Sequence, residues 1–332
     1  MASQRVITVI GSLNTDLVTV TERVPLAGET LTSKSFSIGA GGKGANQAVA
    51  AARVSRPNPK NISTSEAVSS DVAVRFIGAV GADQFGPTLV AGMETDGIDI
   101  SRIRVLEGET TGVAVILVEE ATGENRILVN PGANSALKSE DFTSIESLGT
   151  PKPDLVVLQL EIPLDTVLTI IKHCRAANIA VLLNPAPAVP LPESVYEGLE
   201  HLVVNETEAA ILSGRNVDEV NARDFDWGII TDEFLKKGVK NVVVTLGGKG
   251  SYSSGKIDGG SLLPANKVKV VDTTCAGDTF VGAYASIYVG SLGESGWDLK
   301  EAVRKSSKAS ELTVQRKGAQ IAIPWADEID WN

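Results

Sequence analysis

The run Asp272-Thr273-Thr274-Cys275-Ala276-Gly277-Asp278 is followed by Thr279, Phe280 and a helical pattern to about Val289, so small residues and a carboxylate stand at a helix start. The first N–H groups of a helix have no intrahelical acceptor and carry partial positive charge. The amides of Ala276, Gly277 and Asp278 would then form a hole that stabilises charge on a phosphoryl group in transfer. A primary alcohol keeps its proton at neutral pH. Its attack on phosphorus calls for a nearby carboxylate, which makes Asp278 the candidate general base. The same residues also read as an ordinary capped helix start.

Gly39-Ala40-Gly41-Gly42-Lys43-Gly44-Ala45-Asn46 follows a strand-like run and opens a second helix over 45–54. It fits Gly-x-Gly-x-x-Gly, but a dinucleotide site belongs in the first βα unit with an acidic residue about 20 positions further on. Lys60 and Asn61 stand there instead. Two other readings are open. The glycines bring backbone close to a small polar ligand to which Lys43 and Asn46 donate, or they serve tight helix–strand packing.

Asn14 and Asp16 follow the first strand-like run, and Glu161 follows another at 155–160. Amides and carboxylates form paired hydrogen bonds to adjacent hydroxyls of a polyol; each residue is also a common cap or turn former. Asn205-Glu206-Thr207-Glu208 and Thr245-Leu246-Gly247-Gly248-Lys249-Gly250 each follow a strand as well. Glu208 is a candidate to act on phosphates through magnesium and its waters, with Asn205 nearby and the 245–250 turn offering backbone donors to a nucleotide. An N-cap at Asn205 and a hairpin turn at 247–250 are the competing readings. No Gly-x4-Gly-Lys-Ser/Thr loop occurs, so the chain is not a P-loop NTPase.

These segments need a scaffold that lines them up. Apolar runs at 6–10, 72–77, 155–160, 179–183, 202–204 and 241–245 alternate with helical patterns, which predicts an α/β fold with a parallel sheet covered on both faces. Ligands then sit beyond the carboxyl ends of the strands, where the residues above lie. Segments at about 15–40 and 103–130 are rich in Thr and Val with turn glycines, and read as a small β lid. The Pro-, Asn- and Ser-rich stretch at 54–71 reads as a mobile surface loop.

The 332 residues are expected to form one catalytic domain, 1–332. A net charge of -11 argues against non-specific nucleic-acid or anionic-membrane binding. With only Cys174 and Cys275, and His173 and His201, neither a disulfide framework nor histidine-centred catalysis is expected. No signal-peptide pattern or long apolar run appears, so the expected location is cytoplasmic, with the nucleus as a second compartment.

Taken together, Gly41-Gly42-Lys43-Gly44-Ala45-Asn46, Asn205-Glu206-Thr207-Glu208 and the 272–278 run resemble the ribokinase group of the phosphofructokinase-B type carbohydrate kinases. Gly11-Ser12-Leu13-Asn14-Thr15-Asp16 and Arg316-Lys317-Gly318-Ala319-Gln320 extend the resemblance over nearly the full length. It implies a three-layer α/β/α fold and transfer of a phosphoryl group from ATP to the O5 hydroxyl of D-ribose, giving D-ribose 5-phosphate and ADP. Sugar contacts are implied at Asn14, Thr15, Asp16, Gly42, Lys43, Gly44, Ala45, Asn46, Glu161 and Asp278. Asp278 is implied as base, with Ala276 and Gly277 in the anion hole. ATP would meet Asn205, Thr245, Leu246, Gly247, Gly248, Lys249, Gly250, Gly277, Asp278 and Ser307, with Mg2+ at Glu208 through water. Activating K+ would involve Asp272, Thr274, Thr313, Arg316, Gly318 and Ala322, and a homodimer would share the β lid. Cys275 stands where similar enzymes carry Ala or Gly, Ala322 where they carry Ser, and Ser307 where a larger polar side chain lies against adenine. The alternatives are a kinase of the same fold acting on fructose, adenosine or a keto sugar acid, a dehydrogenase using 39–44, and a sugar-binding protein without turnover.

Overall fold

A computed structural model describes residues 4–61, 70–222, 224–257, 259–292 and 296–332. The strands are β1 (Arg5–Ile10), β2 (Asn14–Thr21), β3 (Ser35–Gly41), β4 (Val72–Gly81), β5 (Asp99–Leu106), β6 (Gly112–Glu119), β7 (Asn125–Asn130), β8 (Leu155–Leu158), β9 (Ala180–Leu183), β10 (His201–Asn205), β11 (Asn241–Thr245), β12 (Ser251–Gly255) and β13 (Gly259–Leu263). The helices are α1 (Lys43–Val54), α2 (Gly86–Thr95), α3 (Leu164–Ala176), α4 (Glu206–Ser213), α5 (Val217–Val220), α6 (Trp227–Lys237), α7 (Ala276–Ser291) and α8 (Leu299–Thr313).

Nine strands form one sheet in the order β13-β12-β11-β10-β9-β8-β1-β4-β5. The seven from β11 to β5 run parallel, and β12 and β13 return antiparallel at one edge. Consecutive residues of a strand face opposite sides. Val156, Val157 and Leu158 are all at most 1% exposed, as are Val242 and Val243, so both faces are covered. One core gathers side chains of α3, α4 and α6 on one face, and the other gathers those of α1, α2, α7 and α8 on the opposite face. The three-layer α/β/α architecture is therefore as the alternating pattern predicts.

The second sheet has the order β3-β2-β6-β7. β2 starts at Asn14, immediately past the ligand edge of β1, so the small sheet begins inside the site. Its extent differs from expectation at one end: Ile103 to Leu106 pair in parallel with Gly78 to Gly81 and belong to β5 of the large sheet. Of the loop expected at 54–71, residues 62–69 lie outside the described residues. Pro59–Asn61 forms one helical turn, and the N–H of Asn58 and Nδ2 of Asn61 donate to the Asp327 carboxylate, each at 2.8 Å.

α7 is apolar almost all round and lies buried between α1 and α8. α1 presents Ala48, Ala50, Ala51 and Ala52, all fully buried. Small residues let the two backbones approach. A methyl group on Gly282 would overlap the carbonyl oxygen of Gln47 and the side chain of Ala50. Among the described residues no helix is long and apolar enough to cross a membrane.

Candidate active site

The site lies beyond the carboxyl ends of β1, β8, β9, β10 and β11, where the α1 and α7 N-termini meet. A cleft of about 240 Å³ there is walled by Lys43, Asn184, Asn205, Glu208, Thr245, Thr273, Cys275, Gly277 and Asp278, with Val203, Val204, Ala186 and Val281 as apolar floor. Asp278 is 9% exposed in the first turn of α7. Its Oδ2 accepts a hydrogen bond from Asn46 Nδ2 at 2.9 Å and its Oδ1 from Gln47 Nε2 at 3.0 Å. The close α1–α7 packing at Gly282 makes these bonds possible.

Ahead of α7, Cys275 takes a left-handed conformation (φ 66°) and turns the chain into the helix. Burial, then the Asp278 carboxylate, push its thiol well above the ordinary range, which disfavours the reactive thiolate. Of the three amides expected to form an anion hole, one has a protein acceptor. The N–H of Ala276 donates to Thr273 O at 3.3 Å, whereas the N–H groups of Gly277 and Asp278, two residues that line the cleft, have no acceptor among the described residues.

The glycine run closes on protein and not on a nucleotide. Gly42, at φ 88°, begins α1 without a capping side chain, and a Cβ there would lie 2.8 Å from Asn14 N and Ser12 O. Glu161 supplies the missing cap: its Oε2 accepts from Lys43 N at 2.9 Å and from Ser12 Oγ at 2.5 Å. Ala45 N donates to Ser12 O and Asn46 N to Gly42 O, both at 2.9 Å. With a carboxylate already on this helix start, no room or donor set is left for a pyrophosphate, and the dinucleotide reading of 39–44 falls. Oε1 of Glu161 remains without a hydrogen bond among the described residues.

Asn14 and Asp16 reach the site from β2. Asn14 Oδ1 accepts from Asn134 Nδ2 at 2.8 Å, while Asn134 Oδ1 accepts from Leu13 N at 2.9 Å, so Asn14 presents its amide donor end. Gly41, opposite Asn14 in β3, leaves the space that the Asp16 carboxylate fills. Burial, then the charges of Glu161 and Asp278, raise the Asp16 carboxyl to about 7. Burial would lower the Lys43 ammonium, but the carboxylates of Asp278, Glu161 and Glu208 outweigh it and the net shift is upward. Lys43 therefore stays charged among acids.

At the other end of the cleft Asn205 and Glu208 form a reciprocal cap: Asn205 Oδ1 accepts from Glu208 N at 2.8 Å and Glu208 Oε2 from Asn205 N at 2.9 Å. The cap reading is thus correct, and both residues still line the cleft. Burial raises the Glu208 carboxyl despite the Asn205 N–H and Lys43. The 245–250 turn contributes less than expected. Leu246 is 3% exposed in the core, its N–H donates to Gly250 O, and the N–H groups of Lys249 and Gly250 donate back within the turn, so only Gly247 and Gly248 keep free amides among the described residues. Lys249 Nζ is 2.7 Å from Glu206. Ser307 points its hydroxyl at Val303 O, 2.9 Å away in its own helix, and does not line the cleft.

Asp272 ties two loops together, accepting from Thr274 N and Gly318 N at 2.9 Å each. Burial raises its carboxyl, but these hydrogen bonds outweigh burial and hold it low. Thr313 and Ala322 are fully buried close by in sequence, and Arg316 pairs with Glu328 at 2.9 Å. Four polar residues were not anticipated: Gln47, Asn134, Gln159 and Asn184. Gln159 and Asn184 each directly follow a strand, a position that already pointed to Glu161 and Asn205.

The family model for the pfkB family of carbohydrate kinases matches residues 4–326. The chain belongs to this family. A ribokinase of Schizosaccharomyces pombe is 40% identical over 327 residues, covering 98% of this chain and 96% of its own. A deoxyribokinase of Salmonella typhimurium is 37% identical, with 98% and 97% covered. The structure of Arabidopsis thaliana ribokinase complexed with ribose and ATP superposes with a TM-score of 0.79 at 28% identity, covering 98% and 97%. The pfkB fold, and kinase chemistry on a carbohydrate, are what the glycine-rich and 272–278 runs lead one to expect.

Proposed function

We propose that the chain transfers the terminal phosphoryl group of ATP to O5 of D-ribose, giving D-ribose 5-phosphate and ADP. The observation that carries this reading is the buried Asp278 carboxylate at the start of α7. It is aimed into a cleft beside the open N–H groups of Gly277 and Asp278 and the charged Lys43. Asp278 takes the O5 proton as the O5–phosphorus bond forms and the bond from phosphorus to the ADP oxygen breaks. The two amides, acting at a helix N-terminus, stabilise charge on the transferring group. Asn14, Asp16, the free Oε1 of Glu161 and Asn46 hold the sugar hydroxyls, and the arm walled by Asn205, Glu208 and Thr245 takes the nucleotide.

Among the described residues no three His, Cys, Asp or Glu side chains cluster as a protein-built metal cage. Mg2+ instead suits a single carboxylate, Glu208, whose Oε1 is open to the cleft, together with the ATP phosphates; bound there it would neutralise phosphate charge. The Asp272–Gly318 contact brings carbonyl-rich loops together and fits K+ in chemistry, with Ala322 contributing no hydroxyl. The small sheet supports a homodimer: Ile38, Leu17, Val115 and Leu128 stand in register across its four strands, and Ile38 and Leu128 are 59% and 70% exposed. An apolar row of that kind calls for a second sheet.

The second reading is a deoxyribokinase, favoured by the 37% identity to the Salmonella enzyme over nearly the whole chain. ADP release with D-ribose, 2-deoxyribose, fructose, adenosine or no sugar, with K+ or an organic cation, decides between them. Preference for ribose over 2-deoxyribose supports the proposal, the reverse preference supports the second reading, and no sugar-dependent turnover overturns both.

A further inference from the structure

We propose that Gln47 is a positioning residue for Asp278, held in one amide orientation by a buried relay through Gln159 and Asn184. An ionised carboxylate only accepts hydrogen bonds, whereas a glutamine amide has one donor and one accepting end. Gln47 turned the other way would set its Oε1 against Asp278 Oδ1. Two contacts prevent that turn. Gln47 Oε1 accepts from Gln159 Nε2 at 2.6 Å, and Gln47 Nε2 donates a second time, to Asn184 Oδ1 at 2.9 Å. Asn184 is itself polarised, because its Nδ2 donates to the carbonyl of Val203 at 2.9 Å, within β10. The donor sense reaching Asp278 Oδ1 is thus set by a backbone group whose direction the sheet fixes. Oδ2 has a parallel arrangement: Asn46, its donor, accepts from Gln320 Nε2 at 3.1 Å.

An independent observation marks the relay as more than packing. Gln159 Oε1, at its far end, is buried against Gly11 and has no hydrogen-bond partner among the described residues. Such an orphan is costly, and an apolar side chain of the same length would remove it. Gln47 is fully buried and Gln159 is 1% exposed, so neither touches solvent or the cleft wall. Among the described residues, the acceptor at the end of this relay that belongs to the proposed chemistry is Asp278.

The inference rests on Asp278 being the base, and the test separates the two. Sugar-dependent ADP release is measured against pH for the parent, Gln47→Met, Gln159→Met and Asp278→Asn, with circular dichroism and thermal unfolding as checks on folding. Removing or releasing a donor favours the protonated form of a carboxylate. The acid limb should therefore move to the alkaline side in Gln47→Met, and in the same direction by less in Gln159→Met. On that limb kcat/KM falls up to about tenfold, with a smaller loss at the alkaline plateau. Lys43, Asp16, Glu208 and Cys275, the other groups facing Asp278 from α1, β2, α4 and the α7 entry, are unchanged in these variants. If Asp278→Asn retains parental turnover, the base assignment fails. If it is inactive while folded Gln47→Met and Gln159→Met show loss that is uniform in pH, the base stands and the relay is overturned.

Discussion

Asp16→Asn should stabilise the sugar-free protein while destroying its activity. The Asp16 carboxyl rises from 3.8 to about 7, through burial first and then the charges of Glu161 and Asp278. The folded state thus binds this proton more tightly than the unfolded chain, and stability from this group falls as pH rises from about 4 to about 7. At ~1.36 kcal/mol per pH unit the full effect is about 4 kcal/mol above pH 7, and about 1.5 kcal/mol has accumulated by pH 5. Asn carries no charge and escapes it. With an unfolding entropy of about 2.1 cal/mol/K per residue over 332 residues, the gain in Tm is about 6 °C at pH 8 and about 2 °C at pH 5. Calorimetry of parent and variant without ligand at both pH values is the assay, paired with sugar-dependent ADP release. A Tm gain that is absent, or equal at pH 5 and pH 8, would refute the argument that burying the Asp16 carboxylate beside Glu161 and Asp278 destabilises the sugar-free protein.

Asp278→Asn should lower turnover by about 10² or more with sugar binding by calorimetry largely kept; parental turnover would remove Asp278 from the chemistry. Gly282→Ala forces a methyl into Gln47 O and Ala50, and should cost about 1–3 kcal/mol in urea unfolding and reduce kcat, because α1 carries Asn46 and Gln47 against α7; unchanged stability would deny the close approach. Leu128→Asp puts charge in the exposed apolar row of the small sheet and should yield monomers by light scattering from a dimeric parent.

The parallel sheet was legible because its signal is local: Val, Ile and Leu runs short enough for strands, separated by helical segments. β12 and β13 were not, since Ser-Tyr-Ser-Ser-Gly and Gly-Gly-Ser-Leu-Leu have little strand character of their own and take it from the template of β11. The site divides in the same way. Asp278, Lys43, Asn46 and Glu161 stand at strand ends or helix starts, where position alone suggests a role. Gln47 sits inside a helix run of alanines, and its meaning comes from a hydrogen bond to a residue 231 positions away. Leu246 shows the converse: a place after a strand says nothing of which way the side chain turns, and this one turns into the core. The same holds for the Ala276 amide, whose acceptor Thr273 lies in the turn that was expected to leave it free.

β2 begins at Asn14, so two of the proposed sugar contacts, Asn14 and Asp16, stand among the first residues of the sheet beside the site. The cover and the grip are one piece of chain. Asn14 and Asp16 belong to the small sheet, whereas Glu161 follows β8 of the large sheet and Asp278 opens α7, packed on it. A water molecule, with no array of hydroxyls to bridge the two parts, has no means of drawing them together. On the proposed reaction, such a division would set sugar phosphorylation apart from idle hydrolysis of ATP.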